Sequence, residues 1–369
     1  MPDKPAAADQ RHLLAAIRTG ARGLGTTWPN PSVGAILVKD GHVISAGRTA
    51  AGGRPHAEQV ALEAAAGAAG GATLYISLEP CAHFGKTPPC ADALIAAGIG
   101  RVVVAMTDPD PRVSGSGLER LEAAGIPVAL ADGTAAADDA HRGHVRRLAT
   151  GRPWVTLKLA VSGDGMIGRR DAGQVAITGA RASAHVQALR SRYDGILVGS
   201  GTVTADDPQL TCRLPGLEHR SPVRVVLDTH GRLAPDRRIF AAPGNVPVLR
   251  MVGETSGREA RSGFGSHVET LTVPEHDGRL AMAAVLKRLG TYGLTRVLVE
   301  GGSHVAACLL SEGFADDIIL FRSPMEIGGD GVPALAGLPL SAIDDDARFR
   351  PAGKRRFGDD TMVRYQRVG

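Results

Sequence analysis

Three side chains able to share one metal ion lie in separate stretches of this 369-residue chain, and its fold has to bring them together. His56 sits in Pro55-His56-Ala57-Glu58, at the start of an alanine-rich stretch with helical spacing. Cys81 follows Glu79-Pro80 directly after an apolar strand, and Cys90 comes after eight intervening residues. One imidazole and two thiolates make a three-ligand zinc site whose fourth tetrahedral position is open to water. Zinc lowers the pKa of such a water to about 7. Glu58, two residues beyond the histidine, stands where it can take that proton and deliver it to a ring nitrogen and then to departing ammonia. The helix N-termini behind His56 and Cys81 favour the thiolates.

Around these residues, strands alternate with short helices. The pattern predicts helices at Leu13–Gly23, Glu58–Ala66, Ala91–Ala97, Gly117–Ala124 and Ala135–Thr150, and strands at Val33–Val38, Val43–Gly47, Thr73–Leu78, Arg101–Met106 and Pro127–Leu130. Such alternation implies right-handed crossovers and a sheet covered on both faces. Gly151-Arg152-Pro153 punctuates the chain, and we place a domain boundary at about residue 148 (domains 1–148 and 149–369). The second domain is predicted to run through strands Trp154–Ala160, Gly195–Gly199, Val223–Asp228, Val246–Met251, Arg296–Glu300 and Asp317–Arg322. Its helices are expected at Ala180–Arg190, Leu280–Leu289 and Val305–Ser311. The class is α/β in both domains.

Composition excludes several functions. Sparse aromatics (4%) leave no stacking platform for single-stranded nucleic acid, and 42 basic against 38 acidic residues make no dense basic stripe. No apolar run approaches the ~18 residues of a membrane span, and Met1–Gln10 has no apolar core of the kind a signal peptide carries. Four unevenly spaced cysteines do not form a disulfide framework, so a cytoplasmic location is expected.

Nucleobase deaminases carry H-x-E followed by P-C-x-x-C. This chain has the first part with a longer cysteine spacer, Ala82-His83-Phe84-Gly85-Lys86-Thr87-Pro88-Pro89. With Pro29-Asn30-Pro31-Ser32-Val33-Gly34 and Asp108-Pro109-Asp110-Pro111, that spacer resembles the deaminase half of the bifunctional riboflavin-biosynthesis deaminase/reductase family. The resemblance implies a cytidine-deaminase-like α/β/α sandwich with zinc on His56, Cys81 and Cys90 and Glu58 as proton shuttle. It implies that Asn30, His83, Lys86, Asp108 and Asp110 line the pocket for a pyrimidine ribose phosphate. Thr49 departs from the family's usual histidine, and Asp110 from its usual asparagine.

The second half lacks the G-x-G-x-x-G dinucleotide fingerprint. Val299-Glu300-Gly301-Gly302-Ser303-His304-Val305 joins a strand to a helix, where glycines let backbone approach a pyrophosphate. Together with Gly199–Pro208, Leu210–Arg213 and Leu157–Gly165, it resembles the reductase half of the same family. That resemblance implies a dihydrofolate-reductase-like α/β domain using NADPH. Ala160, Ala176, Thr202, Asp206, Thr229, Gly302, Ser303, His304, Val305, Ala306 and Ala307 then fall at the cofactor. Gln174, Arg190, Leu210, Arg213 and Glu300 fall at the substrate, with Arg190 and Arg213 as a bidentate phosphate clamp. Ala176 departs from the family's usual tryptophan. The proton donor is open among Asp164, Glu300 and a water.

The implied function is hydrolytic deamination of 2,5-diamino-6-ribosylamino-4(3H)-pyrimidinone 5′-phosphate, then NADPH-dependent reduction of its ribosyl group to ribityl. The expected partner is this small phosphorylated molecule, not nucleic acid or membrane, and the expected assembly is a homo-oligomer. A nucleic-acid base editor, or a chain with one degenerate half serving as scaffold, are the competing readings.

Overall fold

The structure is a computed structural model that describes residues 3–85, 88–131, 133–241, 246–256 and 263–368. It divides into two compact units, Met1–Arg152 and Pro153–Gly369. The division falls later than residue 148 because the last helix of the first unit runs through Thr150 and stops at Gly151, in the left-handed conformation (φ 71°).

In the first unit the elements run α1 (Asp9–Ala21), β1 (Gly34–Lys39), β2 (His42–Arg48), α2 (Ala57–Ala64), β3 (Thr73–Ile76), α3 (Cys90–Ala96), β4 (Arg101–Val104), α4 (Ser116–Ala123), β5 (Val128–Leu130) and α5 (Ala135–Thr150). Their sheet order is β2-β1-β3-β4-β5. The β1–β2 hairpin is antiparallel, β1 also runs antiparallel to β3, and β3, β4 and β5 are parallel. Side chains alternate across the strands, so the sheet carries two cores. Ala35, Leu37, Leu74, Ile76, Val102 and Val104 pack under α2, α3 and α4, while Ile36, Val38, Tyr75 and Val103 pack under α1 and α5. Gly47 lets α2 lie directly on β2, since a Cβ there would come within 2.2 Å of the Ala57 carbonyl oxygen. That contact sets where His56 and Glu58 stand.

The buried carboxylate of Asp9 ties α1 to this sheet. It accepts from Tyr75 Oη at 2.9 Å and from both Nη atoms of Arg101 at 2.9 Å. Burial works to raise the Asp9 pKa, but these donors outweigh it and lower the pKa. The stabilisation is therefore fully present above the ordinary carboxylate pKa and is lost as pH falls through the lowered one. Asp9→Asn is expected to cost about 1–3 kcal/mol, toward the lower end because Arg101 is partly in water. Thermal unfolding of both forms at pH 7 and at about pH 3 checks it, and the gap should narrow in acid.

The second unit runs β6 (Trp154–Val161), β7 (Met166–Arg169), α6 (Ala180–Arg190), β8 (Gly195–Gly199), α7 (Ser200–Asp206), β9 (Val223–Leu227), β10 (Val248–Gly253), β11 (Val268–Val273), β12 (Glu275–His276), β13 (Arg279–Leu280), α8 (Met282–Tyr292), β14 (Arg296–Val299), α9 (Ser303–Ser311), β15 (Asp317–Arg322), β16 (Gly331–Pro333), α10 (Ser341–Asp344), β17 (Phe349–Phe357) and β18 (Asp360–Arg367). A nine-stranded sheet has the order β11-β10-β9-β8-β14-β6-β15-β18-β17. It is parallel from β11 to β15 and antiparallel through the β17–β18 hairpin. The fold is two-domain α/β, as expected.

The sequence reading missed α7, β7, β11, the short pairs and the C-terminal hairpin. β17 is an edge strand with Pro351, Gly353 and four basic residues, exposed along most of its length, so it shows no apolar alternation. α7 reads Ser-Gly-Thr-Val-Thr-Ala-Asp, poor in helix formers. Among the described residues no helix is long and apolar enough to cross a membrane.

Candidate active sites

In the first unit, three loops gather at one edge of the sheet: the approach to β1, the exit from β3 and the exit from β4. Carboxyl ends of parallel strands are where open α/β sheets place ligands. His56 is the residue before α2 and Cys90 opens α3, while Cys81 lies in the turn after β3. Their donor atoms all lie within 4.8 Å of one another. His56 Nδ1 is 3.3 Å from Cys90 Sγ and 3.7 Å from Cys81 Sγ, and the Cys90 amide donates to Cys81 Sγ at 3.4 Å. Ideal zinc–nitrogen and zinc–sulfur bonds at the tetrahedral angle separate N from S by about 3.6 Å. The donor set therefore fits zinc in both chemistry and spacing.

Electrostatics supports the same assignment. The neighbouring Cys90 and His56 pull the Cys81 thiol down to about 4 against burial, and the resulting thiolate and burial push Cys90 up. Without metal the two sulfurs therefore share one proton, and a divalent cation would displace it and bind both as thiolates. Glu58 is buried beside Cys90, and burial raises its pKa to about 7.

The expected pocket residues are placed unequally. Asn30 Nδ2 donates to the Gly53 carbonyl at 2.8 Å, which fixes it to the loop before His56. His83 has a buried Nδ1 with no hydrogen-bond partner among the described residues. Asp108 Oδ1 accepts the Asp110 amide at 2.9 Å and lies 3.0 Å from His144 Nε2. Asp110 is engaged by the exposed Arg112, which lowers its pKa to about 2. Lys86 lies outside the described residues. Thr49 is a backbone latch: its hydroxyl accepts the Val33 amide at 3.0 Å at the entry to β1.

In the second unit, a cavity of about 860 Å³ opens at the carboxyl ends of β6, β8, β9 and β14. Ala160, Ala176, Thr202, Asp206, Thr229, Gly302, Ser303, His304 and Val305 line it, as do Gln174, Arg190, Arg213 and Glu300. Ala306, Ala307 and Leu210 are buried and do not reach its wall; the first two face inward from α9. Cβ atoms on Gly199 or Gly301 would come within about 3.1 Å of Val305, so both glycines let α9 sit close against the strand ends. The α9 N-terminus, without a side-chain cap, then faces the cavity and suits a pyrophosphate. A second cavity shares part of this wall and is lined by Arg232 and Arg279, cations suited to further phosphate.

Arg190, on the cavity wall, is engaged within the chain: its Nε and Nη2 donate to Glu300 at 2.9 and 3.0 Å and its Nη1 to the Thr211 carbonyl. Arg213, exposed at the rim, makes no ion pair among the described residues. The two carboxylates left open as proton donors are both drawn toward the ionised form. Burial would raise Glu300, but Arg190 and Lys158 hold it at about 2. Asp164 is held at about 2 by Ser162 and the amides of Gly328 and Ile327. The residue the sequence reading passed over is Lys158. It is enclosed on the cavity wall with Nζ 3.9 Å from Glu300, and burial lowers its pKa. A lone charge in the apolar run Leu157-Lys158-Leu159 was the available signal.

Known proteins agree with this geometry. Residues 7–106 match the cytidine and deoxycytidylate deaminase zinc-binding region, and residues 153–363 match the RibD C-terminal domain. The chain is 39% identical over 368 residues to riboflavin biosynthesis protein RibD of Escherichia coli (strain K12), covering 96% of this chain and 98% of that one. It is 34% identical to the solved RibD of Acinetobacter baumannii, with a TM-score of 0.86 over 98% of this chain and 99% of that one. A Thermotoga maritima structure, described as a diaminohydroxyphosphoribosylaminopyrimidine deaminase/5-amino-6-(5-phosphoribosylamino)uracil reductase, is 34% identical. It matches with a TM-score of 0.83 over 97% of this chain and all of that one. Zinc is the cofactor of the first domain and NADPH that of the second. This chain therefore belongs to the RibD family of riboflavin-biosynthesis enzymes, a deaminase and a reductase on one polypeptide.

Proposed function

We propose that the first domain hydrolyses the exocyclic amine of 2,5-diamino-6-ribosylamino-4(3H)-pyrimidinone 5′-phosphate, and that the second reduces the ribosyl group of the product to ribityl. The observation that carries this is the convergence of His56 Nδ1 and the two thiols beside a buried Glu58. His56, Cys81 and Cys90 would hold zinc, which supplies an activated water at neutral pH. Glu58, buried beside the ligands, takes a proton and returns it, first to the ring nitrogen and then to ammonia. Asn30 and His83 orient the ring, and Lys86 is assigned to the phosphate.

In the second domain NADPH supplies hydride when bound, and α9, Thr202 and Thr229 position it. Opening the ribose ring leaves its oxygen needing a proton, and we assign the donor to Lys158. Its ammonium has been taken out of water and its acidity raised, while Glu300 fixes its direction. Arg213 is left to meet the substrate phosphate. A homo-oligomer in the cytoplasm completes the reading; mass measurement in solution tests the assembly.

The decisive experiment follows ammonia release and NADPH absorbance together on the diaminopyrimidinone substrate. Both signals are expected with the zinc-loaded protein. Chelation should stop ammonia release yet leave NADPH oxidation on supplied deaminated intermediate unchanged. Ammonia release that survives complete metal removal would overturn the deaminase assignment, and NADPH left unoxidised would overturn the reductase one.

A further inference from the structure

We infer that Glu79 is a positioning residue for deamination, holding the loop that carries Asp108 and Asp110 in register with the zinc-ligand turn Pro80-Cys81. The inference rests on the reading that this loop lines the pyrimidine pocket.

Glu79 is buried, only 4% exposed, two residues before Cys81. Its donor atoms are not part of the metal-ligand cluster. Instead its carboxylate accepts four backbone N–H groups, two from the segment between β4 and α4 and two from the first turn of α4. Oε2 takes Asp108 N at 3.2 Å and Gly115 N at 3.0 Å, and Oε1 takes Gly117 N at 2.9 Å and Leu118 N at 3.4 Å. The last two are first-turn amides of α4, a helix whose own preceding residue, Gly115, offers no side-chain cap. The carboxylate thus caps a helix remote in sequence while its backbone continues into a zinc ligand.

Close packing fixes the same junction. A Cβ on Gly117 would lie 2.0 Å from the Pro80 carbonyl oxygen, so the start of α4 is seated directly on the cysteine turn. A further tether, His144 Nε2 on Asp108 Oδ1 at 3.0 Å, reaches the loop from α5. Asp108 is therefore held by its amide from the metal side and by its carboxylate from α5. Only an acceptor-only group satisfies four N–H donors at once. A glutamine offers one oxygen and turns its NH₂ toward donors.

Glu79→Gln should therefore leave zinc binding and reduction intact but raise KM for the pyrimidine by about tenfold or more, the worth of one to two charge-assisted hydrogen bonds. Its kcat per bound zinc should stay within about threefold. Amide hydrogen exchange at Asp108, Gly115 and Gly117 should accelerate. Should E79Q fold poorly, the second tether gives the same answer: His144→Ala raises KM, and His144→Gln, whose amide still reaches Asp108, restores it. An unchanged KM in E79Q and H144A, or activity that falls only with the folded fraction, would overturn the inference alone. A zinc-loaded wild type that releases no ammonia would overturn the deaminase reading and the inference with it.

Discussion

Glu58→Gln should lower ammonia release by about 10²–10⁴-fold, the usual worth of a positioned general acid–base, while zinc content and NADPH oxidation stay at their wild-type values. Glutamine keeps the shape of the side chain in its closed site, so packing around α2 is undisturbed. What it loses is the exchangeable proton that the buried carboxyl gains and gives up. Ammonia assay and metal analysis on one preparation check it. Zinc lost in proportion to activity would assign Glu58 to holding the site together, and an activity near wild type would remove it from the chemistry.

Lys158→Met is expected to lower reduction by a comparable factor, about 10²–10⁴-fold, with NADPH affinity unchanged. Methionine replaces the aliphatic stem, and Glu300 keeps both of its bonds from Arg190, so no anion is stranded. Removing Glu300 instead would leave Arg190 and Lys158 enclosed without a counter-charge, at a cost of about 3–5 kcal/mol, which would confuse folding with catalysis. The wild-type enzyme should show the matching pH dependence. Burial lowers the lysine pKa, Glu300 opposes it and Arg190 adds to it. Because the ammonium is the donor, reduction should decline as pH rises through that lowered pKa, earlier than an ordinary lysine would allow. NADPH oxidation against pH on supplied intermediate, with cofactor fluorescence for affinity, reads both effects. A Lys158→Met enzyme that retains its rate returns the donor role to water.

Much of this was legible in the chain. Strands written as short continuous apolar runs and helices bounded by glycine were located to within a few residues, because a sheet covered on both faces buries nearly every strand residue. The zinc ligands were legible for the same kind of reason. Histidine, glutamate and cysteine carry their chemistry in their own atoms, and each sits next to a recognisable strand end or helix start. The C-terminal hairpin was not, because exposed edge strands carry no apolar signal.

Partnership was the part hidden from sequence. Arg190 and Asp110 were read as charges for a ligand, and the fold also engages both with neighbours. Glu300 and Asp164 look like acids, yet their surroundings hold them ionised, while Lys158, unremarked in its strand, is the group whose acidity burial raises. Thus the amino-acid sequence alone determined the two-domain α/β class and the His/Cys/Cys group with a carboxylate beside it, since these follow from residue type and short-range order. Which charges are available, which proton can move, and that one carboxylate ties a distant loop to the metal turn were decided only in tertiary structure. Proton affinity and hydrogen bonding depend on what lies within a few ångströms in space, and along the chain those neighbours are as much as 142 residues apart, as Lys158 and Glu300 are.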